Sequence, residues 1–90
     1  MLTIQLMTTA GCHLCEQAHA MFQYLVANDE NIKQNFDLQL IDIIDKDELV
    51  DEYGIRIPVF IRAYNGKRSE LGWPFELHQL SEWLSGDLSV

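Results

Sequence analysis

The chain has 90 residues, a formal net charge of −8 and 48% hydrophobic residues. This length and composition fit one domain with a buried core, and they exclude a second domain or wholesale disorder. Six basic residues against fourteen acidic ones argue against binding to nucleic acid or an anionic membrane surface, because both need a positive footprint. The chain lacks the ~20-residue apolar run of a membrane span and the charged start of a secretory signal. We therefore expect one domain, residues 1–90, that is cytoplasmic and monomeric.

The first half of the chain predicts a strand, a helix and a second strand. Leu2–Met7 alternates apolar and polar residues, as a half-buried strand does. From His13 onwards apolar residues recur at helical spacing, which predicts an amphipathic helix beginning at or just after Cys12. Asn28–Asn35 has turn-forming residues and no apolar face, so it predicts a loop. Phe36–Ile44 alternates and then becomes continuously apolar, which predicts a buried strand.

The acidic middle of the chain predicts a short helix. Asp45 is a suitable N-cap for a helix over Lys46–Tyr53, and Gly54 would end that helix. The acidic residues here have no paired-carboxylate arrangement, and we interpret them as a solvated helix face. They are Asp42, Asp45, Asp47, Glu48, Asp51 and Glu52.

The last third of the chain predicts a hairpin and a helix. The β-rich run Ile57–Ile61 carries a proline near its start, where a strand tolerates one. Asn65-Gly66 is a strong hairpin signal that joins this run to Lys67–Leu71. After a further proline, an apolar stripe predicts a last helix over Glu76–Ser85, with Gly86 as its stop.

The order of these elements is strand, helix, strand, helix, strand, strand, helix. A strand-helix-strand unit forms a parallel crossover, and the Asn-Gly hairpin adds an antiparallel pair. We therefore predict an α/β fold in which a mixed four-stranded sheet is flanked by three helices.

Two cysteines three positions apart, Cys12 and Cys15, are the most informative feature of the sequence. A bridge between them closes a very small loop and constrains the unfolded chain little, so such a pair is more plausible as a catalytic or metal-binding one. Cys12 falls at the predicted helix N-terminus, where unpaired N–H groups and the helix dipole favour a thiolate. Cys15 lies one turn further along on nearly the same face. We therefore assign Cys12 as the outer thiol and the nucleophile, and Cys15 as the inner, resolving thiol.

His13 stands between the two cysteines and has two interpretations. A protonated imidazole near Cys12 would stabilise the thiolate and make the couple more oxidising. Alternatively, His13 is a solvated residue of the first helical turn, since adjacent side chains on a helix do not face each other.

The chain resembles the thioredoxin superfamily and is most similar to glutaredoxins and short glutaredoxin-like proteins. The resemblance covers Leu2–Leu84 and rests on two motifs, Cys12-His13-Leu14-Cys15 after the first strand and Ile57-Pro58-Val59 at a later one. It implies a thiol–disulfide oxidoreductase acting on protein or glutathione mixed disulfides. It also implies a cis peptide bond at Pro58, a proline loop packed beside the Cys12 sulfur, and an Ile57 backbone that pairs with an extended substrate.

Two departures from glutaredoxins concern glutathione. His13 and Leu14 replace the usual proline and aromatic residue between the cysteines. The usual Gly-Gly turn is replaced by Gly72-Trp73-Pro74-Phe75, in which only Gly72 matches. Trp73 and the phenylalanine would occupy the space that glutathione needs. We therefore expect no resident cofactor and only weak use of glutathione as a co-substrate.

The expected substrate-binding residues are those of the proline loop and the segment before the last helix: Arg56, Ile57, Pro58, Gly72 and Trp73. Arg56 would either meet an anionic substrate or be a solvated loop charge. The expected partners are protein disulfides or thiols, with glutathione or a thioredoxin-reductase-type protein as the electron donor.

Other interpretations of the cysteine pair stay open. Cys12, Cys15 and His19 make three soft ligands, whereas structural zinc usually takes four. An iron–sulfur cluster shared between two chains is a further alternative. The chain could also be a non-catalytic module that binds a partner through the proline loop and the Trp73–Phe75 surface.

Overall fold

The computed structural model describes residues 2–64 and 66–85, which form four strands, four α-helices and one 3-10 helix. The strands are β1 (Leu2–Thr8), β2 (Phe36–Asp42), β3 (Val59–Tyr64) and β4 (Lys67–Gly72). The α-helices are α1 (His13–Asn28), α2 (Glu30–Asn35), α3 (Asp47–Tyr53) and α4 (Leu77–Ser85), and a 3-10 helix covers Ile43–Asp45. The strand order is β2-β1-β3-β4, with β1 parallel to β2 and antiparallel to β3, and β3 antiparallel to β4. The predicted mixed four-stranded sheet is confirmed.

Successive residues of a strand point to opposite sides of the sheet, so β1 and β3 contribute apolar side chains to both faces. Helices pack on these side chains on each face. On one face, residues of β1 and β3 pack with α1, α2 and α4; this cluster includes Ile4, Leu6, Phe22, Ile32, Phe60 and Leu80. On the other face, residues of the same strands pack with α3; this cluster includes Met7, Ile43, Tyr53, Val59 and Ile61. None of the helices in residues 2–64 and 66–85 is long and apolar enough to cross a membrane.

The prediction of a loop over Asn28–Asn35 is wrong, because α2 occupies most of this segment. The Asp29 carboxylate caps the helix by accepting hydrogen bonds from the N–H groups of Asn31 at 3.0 Å and Ile32 at 3.4 Å. The Ile32 side chain is only 2% exposed and anchors α2 on the core. One cap and one buried side chain therefore suffice to hold a helix that is too short to show periodicity.

The predicted strand that begins at Phe36 is present, but the prediction of its burial and of its end at Ile44 is wrong. The strand ends at Asp42 and lies at an edge of the sheet, so Leu40 is 50% exposed. The Asp42 carboxylate accepts a hydrogen bond from the Ile44 N–H at 3.1 Å, which turns the chain into the 3-10 helix. The apolar run continues past the strand because Ile43 is buried against α3.

The start of α3 differs from the prediction, although its end does not. Asp45 belongs to the 3-10 helix, and Lys46 occupies the N-cap position of α3 without a side-chain hydrogen bond. The predicted N-cap role of Asp45 is therefore wrong. Gly54 ends the helix as predicted, and a Cβ there would lie 2.5 Å from the Val50 carbonyl oxygen, which no side chain tolerates.

The predicted hairpin is present, with Tyr64 of β3 paired to Lys67 of β4. Gly66 in the connection has a φ of 78°, in the left-handed region that favours glycine. Asn65 and Gly86, predicted as the first residue of the turn and the stop of the last helix, lie outside the described residues.

Candidate active site

Cys12 lies at the N-cap of α1, as the sequence predicts. The chain leaves β1 and turns at Ala10–Gly11, where Gly11 has a φ of 78°. This turn directs Cys12 to the start of the helix, where its Sγ accepts a hydrogen bond from the Cys15 N–H at 3.1 Å. The sulfur therefore occupies the position in which helix N-terminal amides stabilise negative charge.

The two cysteines form a disulfide, with Cα atoms 5.2 Å apart. Cys15 is 2% exposed, packed beneath the first turn of α1, whereas Cys12 is half-buried and reaches the surface. The predicted inner position of Cys15 is confirmed. The pair is therefore asymmetric, and an incoming sulfur can approach Cys12 much more readily than Cys15.

His13 projects into solvent beside the disulfide. Its side chain is 89% exposed, and its Nδ1 lies 3.6 Å from Oε2 of Glu16 one turn further along. When the imidazole is protonated, this carboxylate offsets part of its charge, and solvent screens the rest. An electrostatic effect of His13 on the neighbouring sulfur is therefore expected to be small.

The ends of three strands meet at the edge of the sheet from which the Cys12 loop leaves. Met7, next to the last residue of β1, pairs with Val59, the first residue of β3. Val59 also pairs with Gly72, the last residue of β4. Three segments therefore meet the sheet at the same end of its strands. They are the β1–α1 loop with Cys12, the segment before β3 and the segment after β4.

The segment before β3 and the segment after β4 are joined by a backbone hydrogen bond between Pro58 and Trp73. The Ile57–Pro58 peptide bond is cis, and Pro58 is fully buried. The Pro58 carbonyl accepts a hydrogen bond from the Trp73 N–H at 3.1 Å, which extends the β3–β4 pairing by one step. The Trp73–Pro74 bond is also cis, a feature that the sequence analysis did not anticipate. The structure thus brings Pro58, Gly72 and Trp73 together.

One of the two backbone hydrogen-bonding groups of Ile57, the N–H, already has a partner within the protein. Its N–H donates a hydrogen bond to the Tyr53 carbonyl at 3.0 Å, as part of the turn that follows α3. An extended substrate would therefore pair with Ile57 through the carbonyl alone while this bond persists. The strand-like pairing expected at Ile57 would then consist of one backbone hydrogen bond instead of two.

Trp73 is fixed beside Pro58 by a chain of aromatic rings. Its ring meets the edge of Phe75 at a centroid distance of 5.1 Å and an angle of 73°. Phe75 is 6% exposed and lies 5.6 Å from Phe60 in the centre of the core. The half-buried Trp73 therefore presents a rigid apolar surface at the site, whereas Phe75 belongs to the core.

The exposed side chain of Arg56 is paired with carboxylates of the protein itself. Its guanidinium donates to Glu70 Oε1 of β4 at 2.5 Å and to Glu52 Oε1 of α3 at 3.2 Å, and it lies 5.2 Å from the centroid of the Tyr53 ring. Glu70 also accepts hydrogen bonds from the Tyr53 hydroxyl at 3.3 Å and from Arg68 at 3.2 Å, and Arg68 donates to the Tyr53 hydroxyl. Arg56 thus meets protein carboxylates, and we leave it out of the proposed substrate contacts.

The charges in this group support one another. Burial favours a higher pKa for Glu70, but the hydrogen bond and charge of Arg56, together with the charge of Arg68, outweigh it and hold this pKa below its ordinary value. The hydrogen bond to Glu70 in turn raises the pKa of Arg56. Glu70 and Tyr53, which the sequence analysis missed, are therefore the residues that position Arg56. The alternation of Arg68 and Glu70 on one face of β4 was the available signal.

The two cysteines weighed as metal ligands are bonded to each other. In residues 2–64 and 66–85, no three His, Cys, Asp or Glu side chains converge as metal ligands would. His19 lines an open cavity of about 520 Å³ between α1, α2 and β2, and Cys12 is not among the residues that line this cavity. His78 on α4 is exposed and lies 3.4 Å from Glu76.

Comparison with protein families places these features in context. The model of a family described as glutaredoxin-like domain (DUF836) matches residues 3–85. A structural genomics target protein from X. campestris is 30% identical, with a TM-score of 0.71 over 91% of this chain and 95% of that chain. A sequence comparison with curated proteins yields no match.

Two more distant structures share the fold alone. The germline-specific thioredoxin Deadhead from Drosophila melanogaster is 17% identical, with a TM-score of 0.66 over 93% of this chain and 78% of that chain. Mitochondrial thioredoxin 3 from Saccharomyces cerevisiae, in its oxidized form, is 11% identical, with a TM-score of 0.68 over 93% of this chain and 76% of that chain.

Proposed function

The chain belongs to the glutaredoxin-like domain family, and we propose that it is a thiol–disulfide oxidoreductase that reduces polypeptide disulfides. Cys12 is the nucleophile and Cys15 the resolving thiol. The observation that carries this proposal is the asymmetry of the pair: Cys12 reaches the surface at a helix N-cap, while Cys15 is 2% exposed beneath it. This arrangement favours one thiolate for attack and keeps the other for resolution.

The reaction consists of two exchanges. The Cys12 thiolate attacks one sulfur of the substrate disulfide, a Cys12–substrate disulfide forms, and the other substrate sulfur leaves as a thiolate that takes up a proton. Cys15 then loses its proton and attacks Sγ of Cys12, which releases the second substrate thiol and forms the Cys12–Cys15 disulfide. The substrate gains two electrons, and the protein loses them. Two molecules of glutathione, which become oxidised glutathione, or one dithiol of a thioredoxin-reductase-type protein would return two electrons and restore the two thiols.

The substrate contacts that we propose are the Ile57 carbonyl, Pro58, Gly72 and Trp73. An extended polypeptide would pair with the Ile57 carbonyl and lie against the Trp73 ring while its disulfide meets Cys12. The proposal is supported by the hydrogen bond that joins Trp73 to Pro58, because it holds these groups at one edge of the sheet.

The ionisation of Cys12 tests this function. In the reduced protein, thiolate absorbance at 240 nm should rise with a pKa of about 7 or lower, against about 8.5 for free cysteine, because the α1 amides stabilise the anion. Cys12→Ser should remove this transition, and Cys15→Ser should keep it. A first transition at or above the free-cysteine value, without turnover of a protein disulfide, would favour the non-catalytic binding module instead.

The same titration separates the influence of His13 from that of the helix. Since His13 is exposed and paired with Glu16, His13→Ala should raise the Cys12 pKa by only about 0.2–0.5 units. Glu16→Gln should lower it by a similar amount, because it removes the opposing carboxylate. If neither variant moves the Cys12 pKa, the helix N-terminus alone sets the ionisation.

Glutathione is expected to be a poor substrate. Trp73, which packs against Phe75, stands where glutaredoxins have the second glycine of their Gly-Gly turn, and the residues between Thr8 and Cys12 carry no positive charge to meet the carboxylates of glutathione. In a glutathione-coupled assay with a small mixed disulfide, turnover should stay close to the uncatalysed rate. Trp73→Gly, which recreates a Gly-Gly turn, should raise it. Turnover typical of glutaredoxins in the unaltered protein would show that Trp73 does not obstruct the site.

A further inference from the structure

The loop that leads from α3 into the cis proline is braced by hydrogen bonds at its start. The Tyr53 carbonyl accepts from the N–H of Arg56 at 2.8 Å and from the N–H of Ile57 at 3.0 Å. These bonds join the loop to α3, the element that precedes it. They do not join it to the sheet, along which a substrate strand would lie.

Besides the bond between the Pro58 carbonyl and the Trp73 N–H, the loop is joined to the sheet by the contact of Arg56 with one carboxylate. Glu70 lies on β4, opposite Ile61 of β3, and its Oε1 receives the Arg56 guanidinium at 2.5 Å. Its Oε2 receives the Tyr53 hydroxyl and Arg68, so both oxygens are held in place. Because Tyr53 and Arg68 hold the Glu70 carboxylate in place, its bond to Arg56 can fix the position of the loop.

The loop held in this way carries groups that face outwards. Ile55 is fully exposed, so its apolar side chain is available to a bound polypeptide. Two residues later the Ile57 carbonyl precedes the cis proline, and the Ile57 N–H is already used by Tyr53. With one backbone bond instead of two, pairing with a substrate strand depends more heavily on the exact position of the loop.

We propose that Glu70 is a positioning residue that holds the proline loop, through Arg56, in the place where an extended polypeptide disulfide binds. This inference rests on the proposed function and names a residue that favours polypeptide disulfides over small ones. Glu70 touches neither the substrate nor Cys12; it acts through Arg56 on the Ile57 carbonyl and the Ile55 side chain. A small disulfide has no strand to pair with this loop, so its reduction depends on Cys12 and Cys15 alone.

The test compares a large and a small disulfide. For Glu70→Ala, KM for insulin, whose disulfides lie in polypeptide chains, should rise about three- to tenfold because a charged tether is lost. The kcat for insulin and the rate with bis(2-hydroxyethyl) disulfide should stay within about twofold of the unaltered protein. Arg56→Met removes the other end of the tether and should give the same selective loss, and the double variant should add little to either single change.

Glu52→Ala is the matched control. Glu52 pairs with the same guanidinium at 3.2 Å, but it lies on α3 and does not connect the loop to the sheet. This variant should therefore change neither substrate by more than about twofold. Equal losses on both substrates, or an unchanged KM for insulin in Glu70→Ala and Arg56→Met, would overturn the inference while leaving the oxidoreductase intact. If the unaltered protein reduces neither disulfide, the proposed function itself fails.

Discussion

Replacing Cys15 by serine is expected to turn the protein into a covalent trap for its substrates. Cys12 remains half-exposed at the N-cap of α1 and can still attack a disulfide. The thiol that would release the mixed disulfide is gone, and a serine hydroxyl does not replace it because it ionises far less readily than a thiol. Nearly all of the protein should therefore carry a disulfide-linked substrate, which intact-mass spectrometry under non-reducing conditions would detect.

Cys12→Ser is the matched variant and should behave in the opposite way. Its remaining thiol, Cys15, is only 2% exposed, so it should form almost no adduct, and reduction of a protein disulfide should fall to the uncatalysed rate. In the reduced unaltered protein, iodoacetamide at neutral pH should accordingly label Cys12 first and Cys15 slowly.

The pattern of adducts discriminates between mechanisms. An adduct on the Cys12→Ser protein but none on Cys15→Ser would reverse the two roles. If neither variant forms an adduct, the pair does not exchange with substrate disulfides, and a binding or metal-holding role for the cysteines becomes the better account.

Local periodicity predicted the elements that carry the cysteines. The alternation in β1 and the helical spacing in α1 belong to single segments, so they can be recognised without knowledge of the remaining fold. Because the helix begins where the apolar period begins, the spacing also predicted that Cys12 lies at its N-terminus and Cys15 inside. The fold class and the inner and outer positions of the two sulfurs were therefore accessible from sequence.

Burial in β2 and the presence of α2 were not accessible in this way. The apolar run of β2 suggested a buried strand, but a strand's burial depends on its place in the sheet, and β2 lies at the edge with Leu40 exposed. The helix α2 shows no period because it depends on one cap, Asp29, and one core contact, Ile32. Both errors arise where tertiary contacts outweigh local pattern.

The contacts of Arg56 illustrate the same limit at the site. From sequence alone, Arg56 had two interpretations, a substrate contact or a solvated charge. Its partner Glu70 is 14 residues away and comes within reach only through the pairing of β3 with β4, which places Glu70 opposite Ile61. Register between strands decides which charges meet, and single-residue patterns do not contain it.

A buried arginine on β3 is expected to contribute strongly to stability. Arg62 is 8% exposed, and its Nη1 donates hydrogen bonds to the carbonyls of Trp83 and Leu84 at the end of α4, each at 2.9 Å. Both carbonyls belong to the last turn of Leu77–Ser85, so within that range neither has an N–H four residues further on, and the negative end of the helix dipole favours a cation there. The guanidinium also lies 5.4 Å from the centroid of the Phe36 ring, so one side chain joins α4 to both β3 and β2.

Arg62→Met keeps an unbranched apolar side chain, shorter than that of arginine, but removes the donors, and it should lower the free energy of unfolding by about 2–3 kcal/mol. For a domain of this size that corresponds to a fall in Tm of about 10–20 °C, measurable by circular dichroism and by urea unfolding of the oxidised protein. Arg68→Met makes the same chemical change on β4, where the side chain is 55% exposed, and should cost less than about 1 kcal/mol. Equal losses in the two variants would mean that the α4 carbonyls gain nothing from Arg62 beyond a surface charge, and that the end of α4 is held by Leu80 and Leu84 packing alone.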